Sequence, residues 1–101
     1  MTDHSLLDVA EAADQSGWTA HATRPALCKS FRFDDFGQAF AFMGRVAEEA
    51  ERLNHHPEWC NVWNRVDVVL TTHDAGGVTP LDLALARAMD AAAAQVAAEP
   101  R

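Results

Sequence analysis

The stretch WCNVWNRVDVVLTTH, residues 59–73, decides the fold of this chain. Val66, Val68 and Leu70 recur at every second position, as they do in a strand that buries one face. The aromatic and β-branched residues before Asn64 favour a preceding strand, so the stretch predicts a β-hairpin. The predicted strands are residues 59–63 and 66–73, with the turn at Asn64 and Arg65.

A long amphipathic helix is predicted before this hairpin. Asp35 can cap its first turn, with Gln38 as the return partner of a capping box. Apolar residues then recur every three or four positions, which is the spacing of one buried helix face. The predicted core residues are Phe36, Phe40, Met43, Val46, Ala47, Ala50 and Leu53, and Pro57 ends the helical region.

The N-terminal part predicts a short helix and a first hairpin. Residues 6–14 have helical spacing, and that helix ends near Gly17. Residues 18–22 and 27–33 predict two strands around a turn at Arg24 and Pro25. Period-2 alternation places Leu27, Phe31 and Phe33 on one face of the second strand.

A C-terminal helix completes the order α-β-β-α-β-β-α. Thr79 can cap it, with Pro80 at its first position and Asp82 at its third. Its predicted buried side consists of Leu81, Leu85, Ala88, Met89, Ala92 and Val96. Amphipathic helices need a surface to cover, so residues 1–101 predict one α+β domain. We expect a four-stranded antiparallel sheet covered on one face by helices, the other face being left to solvent or a partner subunit.

Composition and charge exclude several classes of protein. The 8 lysines and arginines are outnumbered by 15 aspartates and glutamates, which gives a net charge of −7. Nucleic acids and anionic membranes require clustered cations, and no cluster is visible, so we expect neither partner. No apolar stretch approaches the roughly 20 residues that span a bilayer, and the N-terminus does not resemble a secretory signal. We therefore expect a cytoplasmic protein.

The two cysteines, Cys28 and Cys60, form no CxxC pair. A zinc ribbon or a redox dithiol is therefore not expected. We expect two reduced, buried thiols rather than a disulfide bridge.

Three of the five histidines, His55, His56 and His73, fall between residues 55 and 73. Imidazole has an unperturbed pKa of roughly 6.5, so these residues favour a proton-transfer site, a metal site or a pH-sensitive interface. Neighbouring side chains in an extended segment point to opposite sides, and no zinc signature is present, which disfavours a metal site. Each histidine also has a structural explanation, in a polar turn or at a strand end. The hairpin, however, brings His55, His56 and His73 to the same end of the sheet, which favours a shared site.

Asp82 and Glu51 border this group. Asp82 occupies a capping-box position, although it can also border the same cavity. Glu51, one turn before His55, either anchors the loop or contacts a ligand. Trp59 and Trp63 are expected in the core, although an indole can stack on an aromatic ligand. Two further histidines, for which the sequence identifies no partner, are expected at the surface: His4 and His21.

One set of residues joins most of these features. It comprises Glu51, His55, His56, Pro57, Trp59, Asn61, Trp63, Asn64, Val66, Val68, Leu70, Thr72, His73, Gly77, Thr79 and Asp82. Over residues 17–97 the chain resembles the pterin-4a-carbinolamine dehydratase family. Trp63 departs from that pattern, where a tyrosine is usual, and Asp74 and Ala75 differ from some relatives.

The resemblance implies a hydro-lyase that converts 4a-hydroxytetrahydrobiopterin, a by-product of aromatic amino-acid hydroxylases, to quinonoid dihydropterin and water. It implies no metal and no other cofactor. The catalytic residues would be His55, His56, His73 and Asp82. The pterin would be bound by Glu51, His55, His56, Pro57, Trp59, Thr72, His73, Asp74 and Ala75. The uncovered sheet face also makes a homo-oligomer, a dimer or a tetramer, plausible, and a functional link to a hydroxylase follows from the substrate.

Dehydration needs an acid for the leaving hydroxyl and a base for a ring nitrogen, and histidine can be either near pH 7. Our hypothesis assigns these two roles to His55 and His73, gives His56 binding and orientation, and has Asp82 polarise or orient a histidine. Two other classes compete with this interpretation: a non-enzymatic interaction or dimerisation module, and a histidine-rich metal-binding protein.

Overall fold

A computed structural model describes residues 4–99, so both ends of the predicted 1–101 domain lie outside the described residues. The seven elements follow the predicted order and confirm the α+β fold class. They are α1 (Val9–Ser16), β1 (Thr19–Ala20), β2 (Leu27–Arg32), α2 (Phe36–Leu53), β3 (Glu58–Val62), β4 (Arg65–Leu70) and α3 (Pro80–Ala98).

The four strands form one antiparallel sheet in the order β1-β2-β4-β3. At its centre, β2 pairs with β4, where Phe31 lies opposite Val66 and Leu27 lies opposite Leu70. β3 pairs with the other side of β4 and forms an edge of the sheet. This order brings the chain that enters β3 and the chain that leaves β4 to the same end of the sheet.

The core lies between one face of the sheet and the helices. The inward residues of β4, Val66, Val68 and Leu70, are buried as predicted, and they pack with Leu27 and Phe31 of β2. The buried residues of α3 are Asp82, Leu83, Leu85, Ala86, Met89, Ala92 and Val96. The predicted positions Leu81 and Ala88 are only half-buried.

The predicted buried face of α2 is partly wrong. Phe40 is 64% exposed and Phe36 is also exposed, whereas Phe42, outside the predicted stripe, is fully buried. The Phe42 ring packs against Phe31 and Phe33, with centroids 4.8 and 5.1 Å away. The helix therefore turns a different stripe to the sheet, formed by Ala39, Phe42, Val46 and Ala50.

The ends of α2 differ in detail from the prediction. Asp35 accepts a hydrogen bond from the Gln38 N–H as expected, while Gln38 Oε1 accepts from the Asp34 N–H. The helix ends at Leu53, because Asn54 adopts the left-handed conformation with φ 51°.

The β3–β4 turn lies at Trp63 and Asn64, one residue earlier than predicted. Trp63 has φ 52° and is 65% exposed, so its expected place in the core is wrong. Cys28 and Cys60 are free thiols, but the predicted burial is wrong, because Cys60 is exposed and Cys28 is half-buried. Cys60 alternates with the half-buried Trp59, so it lies on the face of β3 that the helices do not cover. Among residues 4–99, no helix is both long enough and apolar enough to span a bilayer.

Candidate active site

A cavity of about 540 Å³ opens at the end of the sheet where β3 begins and β4 ends. Its walls come from the α2–β3 connection, the segment after β4 and the first turn of α3. The structure brings His55, His56 and His73 together in these walls. The lining residues are His4, Asn54, His55, His56, Pro57, Glu58, Thr71, Thr72, His73, Asp74 and Leu81.

The two adjacent imidazoles of the α2–β3 connection point in different directions. The left-handed Asn54 turns the chain out of the helix, and the His55 N–H bonds the Ala50 carbonyl at 3.0 Å. His55 then points inward and is 8% exposed, whereas His56 is exposed. The His56 Nε2 lies 2.5 Å from Glu51 Oε2 at the surface.

His55 forms a buried pair with Asp82. Its Nε2 lies 2.5 Å from Asp82 Oδ1, and Asp82 is fully buried at the start of α3. The other oxygen, Oδ2, accepts from the Thr79 N–H at 2.9 Å and from the Thr72 hydroxyl at 2.8 Å. Both partners of Oδ2 donate, and an ionised carboxylate also accepts through Oδ1, which requires His55 Nε2 to donate. The His55 Nε2 therefore carries a proton.

A chain of hydroxyl groups supports this carboxylate. The Thr72 hydroxyl gives its only proton to Asp82, so the Thr79 hydroxyl, 2.7 Å away, must donate to Thr72 Oγ1. Thr79 Oγ1 in turn accepts from the Leu81 N–H at 3.3 Å. The predicted capping box of α3 is confirmed, and the same carboxylate that closes it holds His55.

The second nitrogen of His55 is accessible from the cavity. His55 Nδ1 bonds no residue within 4–99, yet no buried side-chain nitrogen or oxygen of this part of the chain lacks a partner. Nδ1 must therefore reach solvent, and the cavity is the solvent-filled volume that His55 lines. In the neutral imidazole this nitrogen is an acceptor, because Nε2 holds the proton.

His73 is presented by a tight turn after β4. The turn is closed by pairing of Thr72 with Gly77, whose carbonyl accepts from the Thr72 N–H at 2.8 Å. Gly76 has φ 77°, a conformation that residues with a Cβ rarely adopt. This geometry turns Thr72 inward to Asp82 and leaves His73 exposed at the mouth of the cavity.

Glu58 links His73 to Arg24, which lies in the loop between β1 and β2. Its Oε2 lies 2.8 Å from His73 Nε2, and both carboxylate oxygens accept from the Arg24 guanidinium at 2.8 Å. The Arg24 hydrogen bonds, followed by that of His73, lower the pKa of Glu58 from its ordinary value of 4.5 to about 2. Glu58 is therefore a carboxylate near neutral pH.

We expect the free energy of unfolding of the wild-type protein to fall more steeply than that of Glu58→Gln between pH 4.5 and 2. The pKa of Glu58 is lower in the folded state, so the stabilisation is complete above pH 4.5 and disappears as the pH falls through about 2. The effect should be modest, because the pair is half-exposed. Urea titrations across this range measure it, with Glu49→Gln as the control. The expectation would be contradicted if the free energy of unfolding fell equally steeply with pH in the wild-type protein and in Glu58→Gln.

The predicted site residues divide into three groups. Those that line the cavity are His55, His56, Pro57, Thr72, His73 and Asp74. Asp82, which is buried, and Glu51, which is exposed, do not line the cavity but contact the lining residues His55 and His56, respectively. Trp59 packs against the core, and neither it nor Ala75 is among the lining residues.

Five lining residues lie outside the predicted site. Glu58 follows the His-His-Pro motif directly, and its place at the start of β3 was the signal that could have found it. Asn54 was equally close in sequence. No pattern pointed to His4. The structure supplies the partners of His21 that the sequence did not identify, because its Nδ1 accepts from the N–H groups of Thr23 and Arg24. The remaining two are Thr71 and Leu81.

The site is built from histidine–carboxylate pairs. Each of His55, His56 and His73 engages a different carboxylate through Nε2, at 2.5 to 2.8 Å. Within residues 4–99, no three histidine, cysteine, aspartate or glutamate side chains converge as metal ligands do. The arrangement can bind a polar ring system and exchange protons with it through nitrogens that are not held by the carboxylates.

Comparisons with known proteins identify the family of this chain. Residues 3–92 match the sequence model of the family described as Pterin 4 alpha carbinolamine dehydratase. A Bordetella avium (strain 197N) protein, provisionally named pterin-4-alpha-carbinolamine dehydratase, is 67% identical over 81 residues, covering 80% of this chain and 75% of that protein.

Two solved structures have a similar fold. The crystal structure of a transcriptional coactivator/pterin dehydratase from Brucella melitensis has a TM-score of 0.83 and 47% identity, covering 88% of this chain and 99% of that chain. A pterin dehydratase-like protein identified as a RuBisCO assembly factor in the alpha-carboxysome has a TM-score of 0.65 and 26% identity, covering 75% of this chain and 88% of that chain.

The chain therefore belongs to the pterin-4a-carbinolamine dehydratase family, a family of hydro-lyases, and the predicted resemblance is confirmed.

Proposed function

We propose that this protein dehydrates 4a-hydroxytetrahydrobiopterin to quinonoid dihydropterin by histidine acid–base catalysis, without a metal ion or other cofactor. The observation that carries the proposal is the buried His55–Asp82 pair, whose free Nδ1 reaches the cavity that His73 also lines. A buried carboxylate fixes the tautomer and orientation of an imidazole and stabilises the charge that it acquires.

The reaction breaks the bond between C4a and its hydroxyl oxygen. A protonated imidazole donates to that oxygen, which leaves as water, and a neutral imidazole accepts the proton lost from a ring nitrogen. The protein donates one proton and accepts one, so proton exchange with solvent returns both imidazoles to their starting protonation states. Each positioned transfer contributes about 10²- to 10⁴-fold to the rate.

The roles follow from the two environments. His55, fixed by Asp82, and His73, at the mouth of the cavity, act as the acid–base pair. His56 is held by the exposed Glu51, and we assign it to binding and orientation of the pterin. We assign Pro57, Thr72 and Asp74, which line the cavity, to contact with the ring system, whereas Trp59 and Ala75 are not among the lining residues.

This activity would place the protein in the recycling of the tetrahydrobiopterin used by aromatic amino-acid hydroxylases. Its product is the substrate of a reductase, which implies a cytoplasmic location and a functional link to a hydroxylase. The family membership of the chain supports this role.

A turnover assay tests the function directly. Carbinolamine generated in solution should lose water faster in the presence of the protein, followed by the ultraviolet absorbance of the quinonoid product, and a chelator should not change the rate. Folded protein without turnover would instead favour a non-enzymatic interaction module, the kind of role named for the RuBisCO assembly factor. A rate abolished by the chelator would favour the metal-binding alternative.

We also propose that the protein is a homo-oligomer, a dimer or a tetramer. Phe36 and Phe40 are exposed, with ring centroids 5.8 Å apart, and Trp63 is exposed in the β3–β4 turn. Two hydrogen bonds between Phe33 and Asn64 tie this turn to the start of α2. Exposed apolar side chains thus gather at the end of the hairpin opposite the histidines, and a second copy could bury them.

Replacing Phe40 with aspartate should lower the oligomeric mass. A carboxylate at this position would be desolvated in an apolar interface, which disfavours association. Light scattering after size-exclusion chromatography measures the mass, and Ala94→Asp, at an exposed position of α3, is the control. A Phe40→Asp protein with the wild-type mass would show that this patch is not the interface.

A further inference from the structure

The structure contains a chain of three side chains that joins the β1–β2 loop, β3 and the turn after β4. Arg24 holds both oxygens of Glu58, and Glu58 holds Nε2 of His73, all at 2.8 Å. Glu58 and His73 line the cavity. Arg24 is not among the lining residues, so it can act on the cavity only through Glu58.

The β1–β2 loop is ordered in a way that presents Arg24. His21 Nδ1 accepts from the N–H groups of Thr23 and Arg24, both at 3.2 Å. The hydroxyl of Thr71, just beyond β4, donates to the Pro25 carbonyl at 2.9 Å and ties the loop to this end of the sheet. Arg24 thereby reaches across the end of β4 to the start of β3.

His73 depends on this chain for its position. Its side chain is 70% exposed, and the single hydrogen bond of that side chain within residues 4–99 is the one to Glu58. An exposed imidazole without an anchor would sample several rotamers. Asp74, His55, His56 and His4 share the cavity but make no hydrogen bond to His73.

We propose that Glu58, clamped by Arg24, is a positioning residue that holds the His73 ring with Nδ1 free for the substrate. This inference rests on the proposed function, because it makes His73 one of the reacting imidazoles. It adds two residues that do not themselves touch the reacting atoms. The low pKa of Glu58 supports it, because an ionised carboxylate can only accept a hydrogen bond from His73.

The contact between Arg24 and Glu58 has a better-defined geometry than an ordinary surface ion pair. Most exposed pairs hold one long side chain against another with a single contact and contribute little. Here the guanidinium binds both oxygens in a fork, which fixes the plane of the carboxylate as well as its distance. The second acceptor site of Oε2 is then fixed in space for the imidazole.

The kinetic test compares Glu58→Ala and Arg24→Gln with matched controls at the Glu49–Arg52 pair. Glu49 is a suitable control because its side chain is 40% exposed, against 39% for Glu58, and it also bonds an arginine. We expect Glu58→Ala to lower kcat about tenfold at nearly constant KM, because misplaced reacting groups lose rate rather than affinity. Arg24→Gln should cause a smaller loss in kcat, and Glu49→Ala and Arg52→Gln should cause none.

Measuring the same substitution in a His73→Ala protein distinguishes a positioning role of Glu58 from a general loss of structure. In a His73→Ala protein, adding Glu58→Ala should change kcat by no more than about twofold, because the residue acts through a ring that is absent. An equal tenfold loss in both backgrounds, or no loss in the wild-type background, would overturn the proposal.

The order of the His73 ring supplies a readout that does not need turnover. NMR relaxation of the ring carbons should show a lower order parameter in Glu58→Ala and Arg24→Gln, and an unchanged one in Glu49→Ala. If wild-type protein shows no turnover but these ring motions change as expected, the proposed function fails and the positioning stands. Unchanged ring order in Glu58→Ala would overturn the positioning whatever the activity.

Discussion

Replacing His55 with alanine should lower kcat by about 10³-fold and change KM far less, within the range lost when a positioned acid or base is removed. His55 is the one imidazole of the three that is buried and paired with a buried carboxylate, so the proposed mechanism gives it a larger role in proton transfer than in substrate contact. His73→Ala should also lower kcat more than it raises KM. Steady-state kinetics with the carbinolamine substrate measure both constants.

His56→Ala is the matched comparison, since it removes the adjacent imidazole of the same motif. His56 is exposed and paired with the exposed Glu51, so its loss should mainly raise KM. Circular dichroism and thermal melts should show that each variant remains folded. Small and equal effects of all three substitutions would reject the assignment of roles.

Asp82→Asn should lower kcat by about 10²- to 10³-fold, by reversing the tautomer of His55. The asparagine oxygen can replace Oδ2, which accepts from Thr72 and the Thr79 N–H, and this leaves the amide NH₂ facing His55 Nε2. Nε2 must then accept a hydrogen bond, so the ring proton moves to Nδ1. Nδ1 then no longer presents a lone pair to the cavity. Nitrogen-15 shifts of the His55 ring report the tautomer directly.

The same substitution should reduce the free energy of unfolding by about 1–3 kcal/mol, because buried partners lose a charged acceptor. Glu51→Asn is the control, as it changes the exposed carboxylate of His56 and should leave stability nearly unchanged. In a His55→Ala background, Asp82→Asn should cause little further loss of kcat. An Asp82→Asn enzyme with wild-type kcat and the original His55 tautomer would refute the pairing as a catalytic device.

The order of elements could be predicted because local patterns determine it. The alternation of Val66, Val68 and Leu70 and the cap at Thr79 are sequence features that tertiary packing did not override. The buried side of α2 could not be chosen in the same way. Its sequence carries two apolar stripes with helical spacing, one through Phe36 and Phe40 and one through Phe42 and Val46. Only the positions of the sheet and α3 determine that the stripe through Phe42 and Val46 is the buried one.

The site was predictable where neighbours in sequence share it. The extended geometry before Pro57 indicated that His55 and His56 point to different sides, and they do. The contact of Arg24 with Glu58 was not predictable, because it depends on the strand order β1-β2-β4-β3 and on a loop that crosses the end of β4. The exposure of Trp63 likewise depends on a turn one residue earlier than the pattern indicated.

Asp82 both closes the first turn of α3 and contacts His55, so under the proposed mechanism we expect fraying of this helix to lower activity as well. Any substitution that loosens the start of this helix would release the imidazole, even at a position that never meets a pterin. In a mutational screen scored by turnover, such positions would be indistinguishable from residues that handle protons. Hydrogen exchange at the amide of Thr79 would separate the two kinds.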